Sequence, residues 1–125
     1  MVYLFSLIGP FFLLLVEKFL PYPYFIEELY KLFLAKSTSS TRVVIILGFL
    51  FSFSEAVFYF LNPNPSFFRF LVVTPMHITT LLVMQYFNEI QLRHKRNLWW
   101  LGLTLAILIH YLFNQISLAG SEPVM

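Results

Sequence analysis

The chain has little charge, no cysteine and no aspartate. The lack of cysteine excludes disulfides, thiolate metal sites and cysteine nucleophiles. Only 11% of the 125 residues are charged and 59% are hydrophobic, whereas a soluble domain is about a quarter charged. The net charge of +2 comes from scattered residues, so there is no basic face for a nucleic-acid partner. The composition therefore predicts a protein whose partner is the lipid bilayer.

The first twenty residues also lack two features of a secretory signal peptide. They have neither a basic start nor a small-residue cleavage site. We therefore expect this apolar stretch to be retained as a membrane helix.

Five segments follow one another, separated by proline-rich or polar stretches. A transmembrane helix needs roughly 20 mostly apolar residues, and four of the segments meet this length. A shorter segment, which carries two adjacent glutamates, lies between the first and second of these four. In chain order the segments are residues 2–20, 24–35, 43–61, 67–87 and 98–118. The sequence predicts one all-α domain over residues 1–125, a polytopic membrane bundle of about four transmembrane helices plus one short glutamate-bearing helix.

The basic residues lie mainly in two of the connecting stretches. These are KSTSSTR (36–42) and NEIQLRHKRN (88–97), both predicted to be loops, whereas the predicted turn NPNPS (62–66) has no charge. Basic loops tend to stay in the cytoplasm. We therefore predict an integral protein of the plasma membrane with both basic loops and the N-terminus cytoplasmic, and with NPNPS outside.

Ionisable residues inside the predicted helices indicate a functional site, because each costs a few kcal/mol in a membrane. At 1.5 Å of rise per residue, Glu28 lies roughly 12 Å from the predicted cytoplasmic end of its helix. His77 lies roughly 15 Å from the corresponding end, and Glu55 and His110 roughly 18 Å. Four helices thus place a polar group at a similar depth, which predicts one shared buried site.

The spacing of these residues suggests their chemistry. Glu27 and Lys31 are four apart on one helix face, which predicts a salt bridge. Two adjacent carboxylates at low dielectric resist joint ionisation, so one should hold a proton more readily than an exposed glutamate. Such a group could act as a general base toward water. His77, His110 or Asn114 could then donate a hydrogen bond to the developing oxyanion.

Four short motifs, each in its own hydrophobic segment, resemble in order those of the PrsW family of intramembrane proteases. That family is related to the CAAX prenyl proteases and to bacteriocin-processing or immunity membrane proteins. The motifs are EELYK (27–31), FSFSE (51–55), RFLVVTPMH (69–77) and HYLFN (110–114). The chain departs from the family at Ala56, where the family often has asparagine. The last motif ends in Asn114 rather than in aspartate.

The resemblance implies an intramembrane endopeptidase that hydrolyses peptide bonds of membrane-protein or peptide substrates with a glutamate-activated water. The catalytic residues that it implies are Glu27, Glu28, Glu55, His77, His110 and Asn114. Such proteases are described as either glutamate-dependent or metal-dependent, so a divalent metal such as zinc stays open. The chain has no His-Glu-x-x-His motif.

Two other functions fit the sequence. One is a catalytically inactive relative that acts as a membrane binding or immunity protein. The other is a small haem-binding membrane subunit with His77 and His110 as axial ligands. The haem requires a haem-sized gap between the two histidines, whereas the protease requires both near Glu28 and Glu55. The same groups could also serve only as hydrogen bonds between helices, or as the solvated face of an interfacial helix.

Overall fold

The computed structural model describes residues 1–21, 23–61 and 67–121. This part of the chain consists of helices and the connections between them, without a strand. The helices are α1 (Val2–Glu17), α2 (Pro23–Lys36), α3 (Thr41–Phe60), α4 (Phe67–His94) and α5 (Trp99–Ser121). The predicted all-α class and the five predicted segments are confirmed. The predicted turn NPNPS lies outside the described residues.

One predicted boundary was wrong by about two helical turns. The charged stretch from Asn88 was expected to be a loop, yet α4 continues through it to His94. This stretch contains neither proline nor glycine, and glutamate, glutamine, leucine and arginine are good helix formers. Lys95 ends the helix with a left-handed backbone at φ 52°. The charges therefore mark the end of the apolar stretch, and Lys95 marks the end of the helix.

The short helix α2 packs with one face against the other helices. Helices α1, α3, α4 and α5 form a row in which α3 packs on α1 and α4, and α4 packs on α5. Helix α2 packs on α1, α4 and α5. It therefore has protein on several sides, and its polar residues face the other helices.

The bundle buries charged groups and exposes apolar ones. Glu28, Lys31 and His77 are at most 1% exposed, whereas Phe12, Leu71 and Ile116 are 61%, 53% and 74% exposed. Within the described residues, Phe70–His94 and Trp99–Ile116 are long and apolar enough to cross a membrane, and Val2–Val16 is a shorter apolar helix. Two of the four predicted spans therefore meet the length and composition required of a span.

Small residues and hydroxyl groups bring α1, α3 and α4 close together. Ser6 Oγ donates to the Leu47 carbonyl at 2.6 Å, and Ser54 Oγ donates to the Leu7 carbonyl at 2.6 Å. The hydroxyls of Ser52 and Thr74 hydrogen-bond each other at 2.6 Å. Contacts of this kind are typical of helix pairs in membranes, where burial of apolar surface does not drive association.

We expect Gly48→Ala to destabilise the packing of α3 on α4. A Cβ at position 48 would lie 2.7 Å from Ile78 Cγ1 and 2.9 Å from Ile78 Cα, so the α4 backbone would have to move. Overpacking of this kind costs about 1–3 kcal/mol, measurable as a lower midpoint of thermal unfolding in detergent. The matched control is Gly102→Ala, whose nearest contact would be 3.1 Å. An equal or larger loss in Gly102→Ala would contradict this interpretation.

Candidate active site

Three charged residues of α2 form one side of the site. Glu27, Glu28 and Lys31 are spaced so that one helix face presents all three, and α2 turns that face inward. Phe25, Leu29 and Phe33 lie on the opposite face and are exposed. The interfacial-helix alternative required these charges to face solvent, so the burial of this face argues against it.

Lys31 holds the two carboxylates together. Its ammonium lies 3.0 Å from Glu27 Oε1 and 2.8 Å from Glu28 Oε1, and the predicted Glu27–Lys31 salt bridge is confirmed. The same ammonium is 3.3 Å from Thr80 Oγ1 of α4 and lies over the Phe51 ring of α3. A positive charge shared between both carboxylates offsets the repulsion that their adjacency in sequence suggested.

Glu28 also orients His110. His110 Nδ1 donates to Glu28 Oε1 at 2.6 Å, which joins the fourth turn of α5 to α2. With the proton on Nδ1, the neutral ring presents its Nε2 lone pair as an acceptor or ligand. A carboxylate that fixes a histidine in this way is common in catalytic and metal sites. The neutral ring can therefore accept a proton, and it becomes a donor to an oxyanion only after protonation.

His77 lies between two other carboxylates. Its Nε2 donates to Glu55 Oε2 at 2.7 Å, and its Nδ1 lies 3.3 Å from Glu27 Oε1. A neutral imidazole has one N–H and one lone pair. When Nε2 carries the proton, the Nδ1 lone pair and the Glu27 carboxylate oxygen face each other as two acceptors. This arrangement needs a proton, a water hydrogen or a cation between them.

Glu27 Oε1 lies between His77 and His110. It lies 3.3 Å from His77 Nδ1 and 3.8 Å from His110 Nδ1. Glu27 Oε1, Glu28 Oε2 and His77 Nδ1 are buried, and none of them forms a hydrogen bond with the described residues. The prediction that Glu28, Glu55, His77 and His110 converge in one buried place is confirmed. Glu55 is the most accessible of them, with 22% of its side chain exposed.

Asn114 does not join this network. It lies one turn beyond His110 on α5, is half-buried, and forms no hydrogen bond within the described part of the chain. Phe51, the first residue of the second motif, contacts the His77 ring. Thr80 also contacts the site although no motif pointed to it, and only its spacing of three residues from His77 on α4 could have indicated it. The side chain of Arg69, from the third motif, lies outside the described residues.

The donor atoms fit a divalent metal. Two groups of three residues have ligand atoms within 4.8 Å of one another. The first group is Glu27, Glu28 and His110, and the second is Glu27, Glu55 and His77. Both groups contain Glu27, whose buried oxygen lacks a hydrogen bond. Three carboxyl groups also face a single ammonium, so a divalent ion would balance the remaining charge. Carboxylate oxygens and imidazole nitrogens are ligands that zinc accepts.

A haem does not fit between the two histidines. The nitrogens of both rings face carboxylates, since His77 Nε2 lies 2.7 Å from Glu55 Oε2 and His110 Nδ1 lies 2.6 Å from Glu28 Oε1. Glu27 Oε1 lies within 3.8 Å of a nitrogen of each ring. A porphyrin would have to displace this carboxylate and the Lys31 ammonium bound to it. The requirement for a haem-sized gap is therefore not met.

Comparison with known proteins adds no relative to these observations. No family model, curated protein or solved structure matches the chain. The functional argument therefore depends on the geometry of the site and on the motifs.

Proposed function

We propose that this chain is an intramembrane endopeptidase of the PrsW type. The observation that supports the proposal best is the convergence of three glutamates, two histidines and a lysine inside an otherwise apolar bundle. Burying so many ionisable groups is costly, and such groups in membrane helices usually mark a functional site. Peptide-bond hydrolysis needs a base for water and a group that stabilises the oxyanion, and this cluster contains candidates for both.

Glu27 is our candidate for the water-activating base. Its Oε1 is buried, lies between the two histidines and is ion-paired with Lys31 at 3.0 Å. It accepts no directed hydrogen bond from the described residues, so it can accept one from water. The carboxylate would take a proton from that water as the water oxygen attacks the scissile carbonyl carbon. Glu28 is committed to His110 and Lys31, and we assign it the orientation of His110.

His110 is our candidate for moving the proton onward. Its Nδ1–H bond to Glu28 would stabilise the imidazolium that forms when Nε2 receives a proton. The proton that Glu27 takes from water would pass to His110 Nε2, and the imidazolium would give it to the leaving amine as the C–N bond breaks. Lys31, 3.0 Å from Glu27 Oε1, would fix the position of Glu27, and Glu55 would hold His77 beside it. A metal, if bound, would be held by Glu27 together with either Glu28 and His110 or Glu55 and His77. It would polarise the carbonyl or the water.

We further propose that the bundle lies in the plasma membrane with four spans, α1, α3, α4 and α5. The exposed apolar side chains on these helices support this placement. Helix α2, with 14 residues, would descend from the outer side toward Lys36, so that the 36–42 loop reaches the cytoplasmic side. The substrate would be a membrane protein or peptide that approaches near Glu55, where the cluster is most accessible.

The proposed topology predicts which positions react with a membrane-impermeant thiol reagent. The natural chain has no cysteine, so single cysteines give an unambiguous signal. In intact cells, Asn64→Cys should be labelled and Asn97→Cys should be protected until the membrane is opened. The reverse pattern, with Asn97→Cys labelled from outside and Asn64→Cys protected, would contradict the topology.

Activity is tested with purified protein in proteoliposomes that also contain a tagged single-span membrane protein. Wild type should produce two fragments, and Glu27→Gln should leave the substrate intact. If folded wild-type protein cleaves none of a panel of membrane substrates, the non-catalytic alternative is favoured. In that case the buried charges would serve to join α2 to α3, α4 and α5.

A further inference from the structure

The basic residues collect at one end of the bundle. Five of the eight lysines and arginines of the chain lie there. Lys36 ends α2, Arg42 opens α3, and Arg93, Lys95 and Arg96 lie where α4 meets α5. The Lys36 ammonium lies 5.1 Å from the centre of the Trp99 ring, so the two loops share one end. Glu89 is the nearest acid to the α4–α5 connection in sequence.

A cleft opens at this end, beside the α4–α5 connection. It has a volume of about 480 Å³ and is lined by His94, Arg96 and Leu98. The left-handed backbone of Lys95, at φ 52°, reverses the chain so that the residues on either side of it can line one cleft. Small-molecule sites usually measure about 300–1,000 Å³. The cleft thus combines an arginine, an imidazole and an apolar side chain in a volume suited to a small ligand.

Two tryptophans place this cleft at the level of the membrane surface. Trp99 and Trp100 follow Leu98 directly and are 36% and 51% exposed. Tryptophan is enriched where lipid headgroups meet the hydrocarbon layer. Lys36 lies 5.1 Å from the centre of the Trp99 ring, and Gln91 Oε1 accepts hydrogen bonds from the backbone at Leu98 and Trp99. The wall of the cleft is therefore joined to both α2 and α4.

We propose that this cleft binds the headgroup of an anionic phospholipid. Arg96 would pair with the phosphate, His94 would donate a hydrogen bond to it, and Leu98 would contact the glycerol and the start of the acyl chains. Arginine suits this role because its planar guanidinium can donate two parallel hydrogen bonds to phosphate oxygens. The proposal depends on the membrane placement given above but not on peptide-bond cleavage.

The tryptophans next to the cleft allow a direct test, because they are the only two in the chain. The full-length protein is reconstituted in phosphatidylcholine vesicles that contain a minority of phosphatidylglycerol. In one sample the phosphatidylglycerol carries bromine on its acyl chains, and in the other an equal amount of the phosphatidylcholine does. We expect stronger fluorescence quenching by the brominated anionic lipid. Arg96→Gln should lower its apparent affinity about fivefold, the factor typical of one cation at an anionic surface.

Arg42→Gln is the matched control, since it removes the same charge at the same end without lining the cleft. Its preference for the anionic lipid should stay close to that of wild type. An equal loss in both variants would show diffuse attraction and overturn the proposal, as would equal quenching by both lipids in wild type. Loss of the preference on adding inorganic phosphate would overturn it in favour of a free-anion site. Absence of quenching by either lipid would overturn the membrane placement itself.

Discussion

Glu27→Gln is expected to abolish cleavage of a membrane substrate while leaving the bundle folded. Glutamine has nearly the same size and keeps hydrogen-bonding capacity, so the packing around α2 should persist. Its amide cannot take a proton from water, and general-base catalysis contributes about 10²–10⁴-fold. The measurement is the initial rate of fragment formation in proteoliposomes, with far-ultraviolet circular dichroism to confirm the helical content.

Glu89→Gln is the matched control, because it makes the same substitution on α4 far along the helix from His77. It should cleave at the wild-type rate. Glu28→Gln should also be slow, since the glutamine amide would hold His110 less firmly than the carboxylate does. Unchanged cleavage in both Glu27→Gln and Glu28→Gln would remove the protease assignment.

A chelator separates the two mechanisms that the site allows. Cleavage that continues in the chelator but is lost in Glu27→Gln would support the carboxylate as a base acting on its own. Cleavage lost to the chelator and restored by zinc would show that the donors of Glu27 and one or both histidines hold a metal. In either result Glu27 is required, so the variant tests the site and the chelator tests its chemistry.

Lys31→Met is expected to cause the largest loss of stability of any single substitution in the site. The ammonium is fully buried and lies within 3.0 Å of both Glu27 and Glu28. Removing one partner of a buried ion pair costs about 3–5 kcal/mol, because the other charge is left uncompensated. The free energy of unfolding in a mixed-detergent titration measures this loss.

A combined variant tests whether charge, rather than packing, causes that loss. Adding Glu27→Gln and Glu28→Gln to Lys31→Met removes all three charges together, and most of the lost stability should return. Lys36→Met, at the exposed end of α2, should change stability by less than about 1 kcal/mol. If the triple variant were no more stable than Lys31→Met alone, the buried charge could not be the cause.

The sequence alone predicted the helices and the convergence of the polar side chains, because two physical rules connect sequence position to depth in a bilayer. Apolar length determines where a helix can cross a bilayer, and the constant rise per residue converts position into depth. Glu28, Glu55, His77 and His110 came out at similar depths, and the structure brings them together. The extension of α4 to His94 was missed because charge ends an apolar stretch without ending a helix.

The individual pairings could not be predicted in the same way. Which carboxylate faces which histidine depends on how far each helix is rotated about its own axis, and packing with neighbours sets that rotation. The spacing predicted a salt bridge from Lys31 to Glu27, but it did not indicate that Glu28 contacts both Lys31 and His110. Asn114 has the right spacing from His110 for a shared face, yet it forms no hydrogen bond with the site in the described part of the chain.

The position of His110 on α5 has a consequence for biosynthesis. A chain is made from its N-terminus, so α1 to α4 are synthesised before α5, which carries His110. Until then Glu28 has Lys31 but lacks the imidazole that α5 supplies. Under the proposed function, the nascent protein would not hydrolyse neighbouring chains at the translocon, because its site is complete only when α5 has docked against α4 and α2.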